Sequence, residues 1–161
     1  MSVAPSGMFS KPLHNLRLTV AGSSNFQTWV SAGNATAALA RVYPIFSTSY
    51  TLPMAAVDFA ENFQRSMHAG GARNWFTQEG DLALLFRGSV NAAHDEADAA
   101  YTFLNTIGAV LSDMEALAGT AGYLNIISMI LDEGPQRPLE DEKATIGDFY
   151  EVIFRVGYDG I

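Results

Sequence analysis

The spacing of apolar residues changes several times along the chain, and each spacing predicts one kind of element. Small polar residues and prolines at 1–12 predict a flexible N-terminal arm, after which 13–20 is apolar. Residues 23–30 combine a serine pair with apolar positions at i, i+3 and i+4, which predicts a short helix with a serine N-cap. The alanine-rich run 35–40 favours helix, and 41–46 switches to residues typical of strands.

Two stretches in the middle of the chain alternate as strands do when one face is covered. They span 54–63 and 81–88, and the glycine-containing segment 68–73 between them predicts a hairpin or loop. The apolar faces comprise Val57, Phe59 and Phe63 in the first strand and Leu82, Leu84 and Phe86 in the second.

The second half of the chain predicts one long helix and two further strands. An apolar stripe of period 3.6, with acidic residues before it and Gly119 after it, predicts a helix over 92–118 that lies on a sheet. The stripe comprises Ala97, Ala100, Tyr101, Leu104, Ile107, Leu111, Met114 and Leu117. Residues 123–131 are apolar on both faces and predict a central strand that is largely covered on both sides. The last strand, 150–158, alternates between an apolar face and a face that carries Glu151 and Arg155.

This order of elements predicts an α+β fold. We expect a single domain over residues 1–161, a length typical of one domain, with no repeat and no linker. Its mainly antiparallel sheet of about five strands packs against one long helix and short N-terminal helices.

Composition excludes several classes of protein. Hydrophobic residues make up 48% and charged residues 16%, which excludes a disordered polyelectrolyte. The absence of cysteine excludes thiol catalysis, disulfides and cysteine-ligated metals. Apolar stretches fall far short of the ~20 residues of a membrane span, and the N-terminus has no signal-peptide pattern, so we expect a cytosolic protein without a membrane partner.

The net charge of −8 is unevenly distributed. Residues 1–80 hold five basic and three acidic side chains, whereas residues 81–161 hold four basic and fourteen acidic ones. Such a chain lacks the clustered Lys and Arg that hold phosphates, so we expect no specific binding of nucleic acid.

The residues provide no strong catalytic or metal-binding pattern. Histidines occur singly, no nucleophile elbow is present, and the acidic run 132–142 suits at most an adventitious hard cation. We therefore predict no catalytic residue, no cofactor and no resident metal. The alternative is a small enzyme or ligand-binding domain with a pocket where His68, Asp58 or Glu61 converge.

Two polar connections carry residue types that are common at protein interfaces. One is the glycine loop with its flanking arginine and aromatic residues, and the other is the Pro-rich acidic segment 132–143. Long loops are usually functional, and Arg and aromatic side chains are frequent interface anchors. The candidate interface residues are Arg73, Trp75, Phe76, Glu133, Arg137 and Glu140.

One stretch, SSNFQTWVSAGNATAALARVYPIF (23–46), resembles the opening of small phage tail-completion and tail-terminator proteins. The likeness continues through the glycines at 70–71, GDLALLFRGS (80–89) and the acid-started helix at 92–118. It ends with the pair YLNIISMILDEGP and FYEVIFRVGYD, and it covers residues 15–159.

The resemblance implies a structural virion protein of the tail or neck that is assembled in the cytoplasm of the bacterial host. It would be a subunit of a homo-oligomeric ring, hexameric in the family, that caps the tail tube and docks to the head-side connector or adaptor protein. DNA would pass the lumen without specific binding. Loops at 64–79 and 132–147 would meet the neighbouring subunit or the tube.

The resemblance leaves two questions open. The acidic residues at 95–98 or 132–142 either line the lumen, where they would repel DNA, or keep the free subunit soluble. A head–tail adaptor or another neck ring protein fits the sequence as an alternative to a terminator.

Overall fold

The computed structural model of the protein describes residues 3–7, 9–44, 49–60, 80–89, 96–136 and 149–159. The helices are α1 (Ser10–Gly22), α2 (Ser24–Trp29), α3 (Ala35–Leu39) and α4 (Glu96–Leu117). The strands are β1 (Val42–Tyr43), β2 (Met54–Phe59), β3 (Gly80–Ser89), β4 (Ile126–Gln136) and β5 (Phe149–Tyr158). Three helices, three strands, a long helix and two strands follow one another along the chain, which confirms the predicted α+β fold.

The five strands form one mixed sheet in the order β1-β2-β3-β5-β4. The first pair, β1 with β2, is parallel, and the other three pairs are antiparallel. The last strand of the chain, β5, therefore lies inside the sheet, whereas β1 and β4 form its two edges.

The core lies between the helices and one face of this sheet. On β3, Leu82, Leu84 and Phe86 are fully buried, as the alternating pattern predicts. The Phe86 ring lies 6.5 Å from that of Phe26 in α2 and 6.3 Å from that of Phe154 in β5, measured between centroids. We call this side of the sheet the helix face and the opposite side the open face.

The buried side of α4 differs from the predicted stripe. Ile107 and Met114 are buried as expected, but Tyr101 is 65% exposed, and Phe103 and Val110 are buried instead. Apolar residues lie on more than one side of this helix, so periodicity alone does not select the packed side. Aromatic packing selects it, because the Phe103 ring stacks on Tyr150 of β5 at 5.8 Å and lies 6.1 Å from Trp29.

The N-terminal arm is shorter than predicted. Helix α1 begins at Ser10, so residues 10–12 belong to it, and Pro12 is accommodated in its first turn, where the backbone N–H has no helical partner. Leu16 and Val20 of α1 are fully buried in the core.

The prediction that 123–131 forms a central, covered strand is wrong. This segment contributes to β4, which is an edge strand and continues to Gln136, into the segment predicted as a connection. The neighbouring strand β5 lies inside the sheet, and its Arg155 pairs with Asp132 of β4 at 3.2 Å. An apolar pattern on both faces predicts that both sides of a strand are buried. It does not predict whether residues of the same chain or of another chain bury them.

Candidate subunit interface

Strand β4 forms an open edge of the sheet with large apolar side chains. It pairs with β5 on one side, and no strand in the described part of the chain lies on its other side. Ile127, Ile130 and Leu131 are 63%, 57% and 52% exposed. An unpaired strand edge with exposed apolar residues favours association, because its backbone groups and its side chains can both be covered by another chain.

The exposed apolar side chains of β4 lie on both faces of the edge. The register shifts just before Ser128 and again just after Leu131, as in β-bulges, which interrupt the alternation of a strand. Ile130 lies opposite Arg155 on the open face, and Leu131 lies opposite Phe154 on the helix face. A neighbouring chain can therefore contact apolar surface on either side of β4.

A groove runs between β4 and the C-terminal half of α4. Its volume is about 510 Å³, which is within the ~300–1,000 Å³ typical of binding pockets. Ile126, Ile127 and Met129 line it from the strand, and Leu111 and Ala118 line it from the helix side. Phe154 of β5, Ser112, Ser128 and Glu115 complete the lining. The groove thus continues the apolar surface of the β4 edge onto the helix layer.

At the opposite edge of the sheet, α1 covers the outward carbonyl of β1. The backbone N–H of Ala55 in β2 donates to the carbonyl of Arg41, on the inner side of β1. The next carbonyl, that of Val42, accepts from Nε of Arg17 at 2.7 Å, and Nη2 of Arg17 donates to the carbonyl of Leu39 at 3.3 Å. Burial lowers the pKa of Arg17. The outward carbonyl of β1 is therefore already bonded within the chain.

No protein-family model and no curated protein sequence matches this chain. The function is therefore inferred from the geometry of the chain itself. Within the described residues, no helix is both long enough and apolar enough to cross a lipid bilayer.

A charged cluster on the open face has a structural role. Nε of Arg87 donates to Oε2 of Glu151 at 2.9 Å, and its Nη1 donates to the hydroxyl of Tyr50 at 2.7 Å. The guanidinium lies 4.7 Å from the ring centroid of Phe149 and 5.2 Å from that of Tyr50. Glu151 is buried in this arrangement and is held as an ion-pair partner rather than as a free acid.

Of the residues named for the enzyme alternative, the structure describes only Asp58. Asp58 is exposed on β2 and borders a pocket of about 290 Å³ on the open face. Glu61 and His68 lie outside the described residues, so their convergence on Asp58 stays a prediction. Among the described side chains, no group of three or more His, Asp or Glu residues is placed to hold a metal ion.

The serine pair caps a helix, as predicted. The Ser23 hydroxyl accepts from the backbone N–H of Phe26 at 3.1 Å and donates to Asp113 of α4 at 2.7 Å. Asp113 also accepts from the backbone and side-chain N–H groups of Asn25 at 3.1 and 3.0 Å, and from the Ser24 hydroxyl at 3.4 Å. These hydrogen bonds, led by that from Ser23, lower the pKa of Asp113. The carboxylate joins α2 to α4, a contact that sequence reasoning missed.

One of the predicted interface residues lies at the open edge. Glu133 is exposed on β4, opposite Ile153 of β5. The other five lie outside the described residues: Arg73, Trp75, Phe76, Arg137 and Glu140. Sequence reasoning missed Ile127, Ile130 and Leu131 as surface residues, although their apolar pattern on both faces was the signal that could have found them.

Proposed function

We propose that this chain is a structural subunit of a homo-oligomeric ring that terminates the tail tube of a long-tailed phage or related particle and receives the head-side connector. The observation that carries the proposal is the open, apolar edge at β4. A protein that acts alone would need to protect such an edge, whereas a ring subunit needs one to contact its neighbour.

The difference between the two sheet edges supports a ring rather than a simple continuation of the sheet. Because Arg17 occupies the outward carbonyl of Val42, that carbonyl is not available to β4 of the next copy. A contact of β4 with a different surface of the neighbour is heterologous, and such contacts close into a ring when their rotation permits. Pairing of β4 with β4 would instead give a two-fold dimer.

The negative charge of the chain supports a subunit that lies beside DNA without binding it. The net charge is −8, and the exposed Asp132 and Glu133 lie on β4 next to the apolar residues of the edge. In a ring, acidic side chains near the lumen repel phosphates and let the genome pass. The residue-type resemblance at 23–46 and along the later elements is the second, independent support for the terminator role.

Electron microscopy of particles from a phage that lacks the gene tests the proposal. A terminator stops tube growth, so its loss should give overlong tails without attached heads. Complementation with the wild-type gene should restore tails of uniform length, and complementation with the Leu131→Lys gene should not. Normal-length tails with empty or leaking heads would contradict the terminator role and identify a head–tail adaptor instead.

A further inference from the structure

The groove between α4 and β4 lacks a cover in the described chain and runs beside the edge strand. Its strand side is formed by residues 126–129, which span roughly 13 Å at ~3.3 Å per residue. Glu115 is the one ionisable side chain in its lining. A short uncharged segment that runs beside β4 would cover apolar surface and could also pair with the free edge of the strand, as in β-augmentation.

The N-terminal segment has these properties. Residues 3–7 precede α1 without regular structure, and Val3 is 93% exposed. No residue between 3 and 9 is charged, and Lys11, which is exposed, follows at the start of α1. Fully extended, residues 3–7 span up to about 17 Å, enough for the strand side of the groove.

The segment leaves the molecule on the side away from the groove. Phe9, which lies between the segment and α1, packs edge-on against Phe59 of β2, with ring centroids 6.3 Å apart. The groove lies at β4, and β3 and β5 separate it from β2 in the sheet. The segment leaves the molecule beside β2, whereas the groove lies beside β4. A contact that joins two different surfaces of two copies is heterologous.

We propose that the N-terminal segment of one copy, residues 3–7, lies in the α4–β4 groove of the next copy around the ring. This inference rests on the proposed function. Val3 and its neighbours cover Ile127 and Leu111, and Lys11 comes near the acidic rim formed by Glu115. Pro5 is tolerated in such a segment, because an added strand is itself an edge and needs no N–H on its outer side.

Disulfide trapping between two single variants tests this contact. The chain contains no cysteine, so each variant carries one thiol. Val3→Cys protein is mixed with an affinity-tagged Ala118→Cys protein, at a concentration where the wild type associates, and is then mildly oxidised. The matched control is Ala116→Cys, an exposed alanine two residues away that does not line the groove. We expect at least fivefold more mixed disulfide with Ala118→Cys than with Ala116→Cys.

Two results would overturn the inference. One is an equal yield of mixed disulfide with the two alanine positions. The other is a disulfide confined to single chains when Val3→Cys and Ala118→Cys are placed in one molecule, which would put the segment in the groove of its own chain.

Deletion of residues 2–6 separates this inference from the ring proposal. We expect the deletion to weaken self-association at least tenfold while the melting temperature stays that of the wild type, because Gly7, whose carbonyl accepts from the N–H of Lys11 at 2.9 Å, is kept. If the deleted protein associates as the full chain does, the arm contact is wrong and the ring proposal stands. If the full chain itself does not associate at any concentration, the ring proposal fails.

Discussion

The two edges of the sheet differ in how their backbone and side chains are covered. At β1, Val42 is fully buried, and Arg17 from α1 bonds its outward carbonyl at 2.7 Å. At β4, Ile127, Ile130 and Leu131 are more than half exposed beside an unfilled groove. The outward carbonyl at the first edge is bonded within the chain, whereas no element in the described part of the chain covers the second edge. The comparison separates residues that stabilise the subunit from residues that assemble it.

The largest effect is expected for a charge at the open edge. Leu131→Lys should weaken self-association at least 100-fold, because the ammonium group would be buried without a partner in the contact. The free energy of unfolding should change by no more than about 0.5 kcal/mol, since the site is exposed in the subunit. Sedimentation velocity measures the first effect and urea denaturation the second.

Tyr101→Lys is the matched control, because Tyr101 is also a large exposed side chain but lies on α4 outside the groove. If Tyr101→Lys disrupts association as strongly as Leu131→Lys, the specific role of the β4 edge is contradicted.

A smaller effect on the subunit itself is expected at Thr19, which connects α1 to the segment before β4. Its buried hydroxyl accepts from the backbone N–H of Leu124 at 3.0 Å and donates to the carbonyl of Asn15 at 2.7 Å. Thr19→Val leaves that N–H without a partner and should lower the free energy of unfolding by about 2 kcal/mol. Thr19→Ser keeps the hydroxyl and should recover most of the loss in the same denaturation experiment.

The next largest effect on stability is expected when Arg17, which bonds to β1, is replaced. Arg17→Met removes the charged donor from the carbonyls of Val42 and Leu39 and should lower the free energy of unfolding by about 1.5 kcal/mol. It should also make backbone amides near β1 exchange faster with deuterium. Unchanged exchange at β1 would show that Arg17 does not protect this edge.

The smallest effect is expected at Asp113, which joins the N-terminus of α2 to α4. Hydrogen bonds lower its pKa in the folded state below the ordinary 3.8. Its contribution is therefore fully present above pH 3.8 and is lost as the pH falls through the lower folded pKa. Asp113→Asn should cost about 1 kcal/mol at neutral pH, because a neutral amide oxygen is a weaker acceptor for these hydrogen bonds than a carboxylate, and much less at acid pH. A cost that is the same at both pH values would contradict this role.

The sequence predicted the elements that depend on local pattern. The alternation of Leu82, Leu84 and Phe86 fixes a face of β3, and Ser23 caps α2 through a bond three residues away. These features need no knowledge of the rest of the chain. The order of elements, and with it the α+β class, follows from the same local information.

The sequence did not predict features that depend on distant contacts. The position of β4 at the edge is set by strand order, and the bond between Ser23 and Asp113 joins residues 90 positions apart. The packed side of α4 is likewise chosen by Trp29 and Tyr150 rather than by its own periodicity. At the candidate interface, the apolar pattern of β4 does not show whether residues of the same chain or of another chain pack against it.

The most direct test of the central claim is the mass of the wild-type protein in solution across a concentration series. If the β4 edge contacts other copies, the 17.3-kDa subunit should be in exchange with larger assemblies whose share rises with concentration. A single 17.3-kDa species at every concentration would contradict the claim that this edge exists to bind a second copy of the chain.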